Sequence, residues 1–406
     1  MTRSANPGPA VAEIQGLYGP FTFSEKLLQQ IWARGDFDRS RLATTDGRQV
    51  RVLDPGRWNA LGGPDFRGAR LRFDGGGVVQ GDVELHLHAG DWAAHRHAAD
   101  PAYEGVRLHV VLFPPPADHR TVAGDGRAIP VAALLPLLHC DLEEYAAEAA
   151  VEQLAGRPLD HALGLLRGLA PDELAAELVK RSERRWAQKV HFARLRVAKL
   201  GWAQACHHAA LEILGYRFNR APMLRVAAAH PLAVWTGGER GADEIFATES
   251  WSLQGVRPAN HPRTRLRQYA AWTTAVPDWP VRLEAFGREL PEVVASEETA
   301  RVRREHRLVA LGGRWRAQIC AGQAGGSRWN NLVTDGWLPL LAARTDRALH
   351  GLWHHWFPGD LPPTWLRALR ELDVFRSPSA PACHGPAQGL LDRLLASGPA
   401  GDRPRA

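Results

Sequence analysis

An α+β chain is predicted, with strands and helices in its N-terminal part and mainly helices after it, and three observations predict this. Residues 62–88 run as two alternating segments joined by an Asp-Gly-Gly-Gly turn at Asp74–Gly77, the pattern of a β-hairpin. Val106–Phe113 is a near-continuous apolar run of strand length, the mark of a strand buried on both faces. From about Ala132 the texture becomes helical. At 406 residues the chain exceeds the usual size of one hydrophobic core. Two domains are therefore expected, residues 20–130 and a mainly α-helical C-terminal domain at 131–395. A Pro-, Gly- and Arg-rich tail at 396–406 is expected to be disordered.

Each element has a local reason. Phe23–Phe37 reads as a helix capped by Ser24, with Leu27, Leu28, Ile31 and Trp32 as its apolar stripe and Glu25 in the first turn, where the helix dipole favours a carboxylate. Gln49–Leu53 alternates and is closed by Asp54-Pro55-Gly56, a strand and a turn. The hairpin supplies Ala69–Phe73 and Val79–His88. Asp91 opens a short helix that ends before Pro101, and Val106–Phe113 follows. The predicted order is helix, three strands, helix, strand.

In the second half, Pro171-Asp172-Glu173 opens a long amphipathic pattern through Leu174, Leu178, Val179, Trp186 and Val190. Helical texture continues through Trp202–Leu214, and Asn260-His261-Pro262 precedes a further helix. Gly322–Asn331 is glycine-rich but lacks both the Walker spacing and the GxGxxG spacing, so no phosphate loop is read there.

Composition excludes several classes. The formal net charge is +6, yet of 50 basic residues only Lys26, Lys180, Lys189 and Lys199 are lysine. So strong an arginine bias points to base composition rather than to selection for phosphate contacts. Cys140, Cys206, Cys320 and Cys383 are widely spaced and form no CxxC, so neither a zinc ribbon nor a disulfide framework is indicated. No apolar stretch has the length of a signal peptide core or a membrane span, and a cytoplasmic protein without a membrane partner is expected.

Chemistry concentrates on the second hairpin strand. Asp82, Glu84, His86 and His88 alternate with Val83, Leu85 and Leu87 and so share one face. Ionisable groups taken out of water cost several kcal/mol unless paired or bound to a metal, so this face is either solvated or a site. Three chemistries compete for it. His86-Leu87-His88 followed by Asp91 suggests a histidine-based zinc hydrolase, but the HxHxDH arrangement is broken because the aspartate arrives one position late. Metal-assisted phosphodiester cleavage needs hard oxygen ligands for magnesium or manganese and a polarised water. A binding module without catalysis would instead use the basic stretch Lys180–Lys199, including Lys180, Arg184, Arg185 and Lys189, where Trp186 and Phe192 interleave with the cations. His95 and His97 stand two apart on a predicted helix and are not expected to share a face. His109, within the buried strand, is expected to be neutral and hydrogen-bonded.

Pro64-Asp65 before one hairpin strand and Glu84-Leu85-His86 on the other resemble the PD-(D/E)xK nuclease superfamily. That resemblance implies an αβββαβ restriction-endonuclease-like core in which Asp65 and Glu84 hold magnesium or manganese. It sets His86 at the lysine position and matches Glu25 to the first-helix acid of some members. It implies a metal-dependent phosphodiesterase acting on DNA or RNA. The alternative is a non-catalytic nucleic-acid-binding or scaffold protein with a vestigial site.

The chain as a whole resembles the bacterial family DUF2851. The resemblance is carried by Glu25–Leu28 with Ile31-Trp32, Gly63-Pro64-Asp65-Phe66, Gly81–His86, Asp91-Trp92, His95, His97, Asp100, Tyr103 and Val106–Val111. Asn219, Arg257–Asn260 and Asn330-Asn331 extend it. The family name implies no activity, so function has to come from the site.

Overall fold

The computed structural model describes residues 11–16, 19–59, 62–140, 142, 144–146, 149, 160–253, 256–361, 363–375 and 381–396. The chain divides into two compact units, residues 1–147 and 148–406, a mixed α+β unit followed by a mainly helical one. The division falls later than the expected 130/131 because residues 131–133 form a strand of the first sheet. The predicted tail beyond Ala396 lies outside the described residues.

The first unit opens with the hairpin β1 (Val11–Gly16) and β2 (Gly19–Ser24), which leads directly into α1 (Glu25–Arg34). Ser24 caps the helix as expected, its Oγ accepting the Leu27 amide at 3.3 Å. Gly35 ends it in the left-handed conformation, at φ 59°. The apolar stripe Leu27, Leu28, Ile31 and Trp32 is buried, and α1 packs on the sheet at β6 (Val78–His86).

Six strands make that sheet: β3 (Val50–Asp54), β4 (Arg57–Trp58), β5 (Phe66–Phe73), β6, β7 (Val106–Val111) and β10 (Val131–Ala133). A small ribbon, β8 (Thr121–Val122) with β9 (Ala128–Ile129), stands apart. The spatial order is β10-β7-β6-β5-β3, with β4 also on β5. β3, β5 and β6 run as an antiparallel meander, whereas β7 lies parallel to β6 and β10 parallel to β7. β7 is therefore internal, which is why five of its six residues, His109 among them, are buried. The hairpin register places Arg72 opposite Val78, with a bulge between Phe66 and Ala69.

One predicted helix is much shorter than expected. α2 spans only Asp91–Ala94, because Arg96 adopts φ 60° and turns the chain out of the helix. Asp91 is not its cap but its first residue, and its Oδ2 accepts the His88 amide at 3.0 Å.

The second unit contains α3 (Asp160–Arg167), the 30-residue α4 (Pro171–Leu200) and the 28-residue α5 (Trp202–Ala229), followed by shorter helices to Ala396. Its core is dominated by indoles: Trp272, Trp279, Trp315, Trp337, Trp353 and Trp356 are fully buried. Among the described residues no helix is long and apolar enough to cross a membrane.

Candidate functional site

Period-two alternation puts Glu84 and His86 on the same side of β6, and both are buried. Asp82 and His88, expected on that face, lie apart from them. Asp82 Oδ1 accepts the Gly68 amide at 2.9 Å, and His88, exposed beyond the strand end, stacks on Phe113. Arg70 and Arg72, the conceivable ionic partners of Glu84, pair with Gln80 and Val78 and so lie further back along the hairpin.

Asp65 immediately precedes β5 and is locked to β6 by reciprocal bonds. Its own amide donates to Glu84 Oε2 at 3.0 Å, and the Leu85 amide donates to Asp65 Oδ2 at 3.1 Å. Asp65 and Glu84 are thus held side by side. From α1, Gln29 Nε2 donates to Asp65 Oδ1 at 2.6 Å. Gln29 lies one turn beyond Glu25 on the same helix face, the one cue by which it is recognisable in the sequence.

Burial raises the pKa of all three acids. Desolvation and then the charge of Glu84 push Asp65 up, and desolvation pushes Glu84 up against the pull of the Asp65 amide. Glu25 is raised to about 7, first by burial and then by the charges of Asp65, Asp91 and Glu84. Its Oε1 is buried and has no hydrogen-bond partner among the described residues. Asp65 and Glu84, held side by side, are oxygen donors of the kind a hard divalent cation takes.

Beside the acids sits a histidine cluster that the sequence does not announce. His86 Nε2 lies 3.2 Å from His95 Nδ1 and 3.2 Å from His97 Nε2. The expectation that His95 and His97 point apart is overturned. They are not on one helix, since the left-handed Arg96 between them reverses the chain and lets both rings meet His86. Glu84 Oε1 approaches His97 Nε2 at 3.4 Å and His86 Nε2 at 3.6 Å. Tyr103 stacks on the His97 ring with centroids 3.9 Å apart.

His109 is buried and hydrogen-bonded at both ring nitrogens, to His86 Nδ1 and Thr121 Oγ1, each at 2.9 Å. Burial, then the charge of His119, lowers its pKa to about 3. Burial, then His109, His97 and His95, lowers that of His86 to about 2, so its imidazole is neutral at physiological pH. His97 is lowered too, chiefly by burial.

The four basic residues singled out on α4 divide. Lys180 and Arg184 are exposed and one turn apart. Arg185 is buried and donates to Gln188 and Gln388, while Lys189 Nζ pairs with Asp335 Oδ1 at 2.7 Å. His207 Nδ1 meets the Tyr269 hydroxyl at 2.6 Å and its Nε2 meets the His230 carbonyl at 3.0 Å, and Cys206 and Cys383 are buried free thiols.

Fold and site together define an α+β protein with carboxylates and imidazoles gathered around one central strand. The model of the family described as a protein of unknown function, DUF2851, matches residues 25–245, from α1 through α5 and beyond, and the chain belongs to that family. No curated protein and no solved structure matches it.

Proposed function

We propose that the chain is a magnesium- or manganese-dependent phosphodiesterase acting on DNA or RNA, with a first unit built on the PD-(D/E)xK nuclease plan. The observation that carries this reading is the convergence of Glu25, Asp65 and Glu84, from α1, the start of β5 and β6, where the antiparallel meander meets the parallel strand β7. Asp65 and Glu84 would hold the ion. When bound, the ion would supply Lewis acidity and a water of lowered pKa. Gln29 and the Leu85 amide orient Asp65, and the Asp65 amide orients Glu84. Glu25, whose pKa is close to neutrality, is suited to hold or release a proton near its unmet Oε1. His86 stands at the lysine position of the motif; as a neutral imidazole it offers a hydrogen bond rather than a permanent positive charge.

Nucleic acid as the partner is supported by Lys180 and Arg184, exposed one turn apart on α4. That pair also favours a second reading, a nucleic-acid-binding protein without catalysis. The test is incubation of purified protein with mixed single- and double-stranded DNA and RNA, with and without manganese, beside Asp65→Asn. Cleavage that requires the ion and falls at least about 100-fold in the variant is expected. Salt-sensitive binding without cleavage selects the binding module instead.

A further inference from the structure

The histidine cluster is arranged differently from the acids, and its spacing is informative. Zinc holds nitrogen and oxygen ligands at about 2.0–2.1 Å in a tetrahedron, which sets neighbouring donor atoms about 3.4 Å apart. His86 Nε2 lies 3.2 Å from both His95 Nδ1 and His97 Nε2, close to that spacing, while Glu84 Oε1 stands beside the rings, 3.4 Å from His97 Nε2 and 3.6 Å from His86 Nε2. The three histidine nitrogens all lie within 4.8 Å of one another.

Hydrogen bonding among the side chains accounts for this poorly. A ring nitrogen offers either one N–H or one lone pair, yet His86 Nε2 has three partners within 3.6 Å. One bond of good geometry leaves the others unmatched, whereas a cation among the three histidine nitrogens satisfies their lone pairs together. The surroundings agree. A ligating histidine ordinarily gives its second ring nitrogen to an outer partner that fixes ring and tautomer. His86 Nδ1 has that partner in His109 Nε2 at 2.9 Å, and His109 Nδ1 is itself anchored on Thr121 Oγ1 at 2.9 Å. His95 is exposed, which leaves the ion a route from solvent.

We infer that His86, His95 and His97 form a three-histidine site for a divalent transition metal, with zinc as the reference ion and the fourth tetrahedral position left to solvent. The imidazole-rich donor set selects such an ion over magnesium. The site borders the carboxylate cluster but is distinct from it, since Glu84 Oε1 faces the histidines and its Oε2 faces the Asp65 amide. It goes beyond the phosphodiesterase reading and does not depend on it.

The experiment titrates zinc into chelator-stripped full-length protein by calorimetry and follows cobalt substitution by visible absorption, which distinguishes four-coordinate from six-coordinate cobalt. One equivalent of zinc and a four-coordinate cobalt spectrum are expected. His95→Ala, at an exposed position that leaves the core intact, should weaken zinc and alter the cobalt spectrum, water replacing the lost imidazole. His109→Ala should weaken zinc about 10–100-fold while keeping the coordination number. Asp65→Asn should bind zinc like the wild type, which separates this site from the proposed cleavage site. Zinc binding without any nuclease activity upholds this inference and sinks the phosphodiesterase; manganese-dependent cleavage by a protein that binds no zinc at millimolar concentration does the reverse. Unchanged zinc affinity and an unchanged cobalt spectrum in His95→Ala also overturn it.

Discussion

Glu25 carries a cost that its neighbours impose. Its carboxyl is partly buried among Asp65, Asp91 and Glu84, and its pKa of about 7 exceeds the ordinary value of 4.5. The folded chain therefore binds the proton more tightly than the unfolded chain. The contribution of the neutral acid is fully present below pH 4.5 and is lost as pH rises through about 7. In chelator, Glu25→Gln is expected to raise the melting temperature, by more at pH 8 than at pH 5; an equal shift at both pH values would contradict this origin. If Glu25 moves a proton in the proposed reaction, the same variant lowers kcat by about 100-fold or more, so stability and turnover change in opposite directions.

The stretch from α2 to the following 3-10 turn owes its shape to Arg96. This residue is exposed and holds φ 60°, a left-handed conformation that costs a non-glycine residue about 1–2 kcal/mol. The turn it makes brings His95 and His97 to His86. Arg96→Gly is expected to raise stability to urea by up to about 1 kcal/mol with the histidines still assembled, since glycine accepts this conformation freely. Arg96→Val, with a branched β-carbon, should lower stability and loosen zinc. Indifference of urea midpoint and zinc affinity to both changes would show that the left-handed turn does not assemble the site.

At the scale of the whole molecule, acid stability rests on buried titratable groups and their partners. In the helical unit Glu212 accepts from Arg196 at 2.6 Å and from Arg220 at 2.5 Å. Although burial opposes ionisation, the two guanidinium groups hold its pKa at about 2, below the ordinary 4.5. That stabilisation is present above pH 4.5 and is lost as pH falls towards 2. His207, kept neutral chiefly by burial with a pKa of about 3 against an ordinary 6.5, adds a loss that begins below pH 6.5. The unfolding free energy of the helical unit should thus fall below pH 6.5 and faster below 4.5. Glu212→Gln should flatten the second part, as read from denaturant midpoints across that range. An unchanged pH slope would remove the ion triad as the cause.

The sequence alone determined whatever depends on near neighbours. Ser24 caps α1 because its side chain lies three residues from an orphan amide. The Asp-Gly-Gly-Gly turn closes the hairpin because Asp74 and Gly75 take positive φ, at 46° and 73°. Glu84 and His86 share a face because strand side chains alternate, and the run of Val and Leu in Val106–Phe113 marks a strand that is internal. Partners brought together from separate elements were not legible. Asp65 meets Glu84 through the β5–β6 pairing and the reciprocal amide bonds, and Glu25 reaches both only because α1 packs on the sheet. Arg185 and Lys189 read as surface cations, yet one is buried and the other pairs with Asp335, across 146 residues of chain. His95 and His97 converge through a single dihedral at Arg96, a residue type that gives no sign of it. Local periodicity is written into the order of side chains, whereas these contacts follow from how whole elements pack and from one backbone angle in a loop.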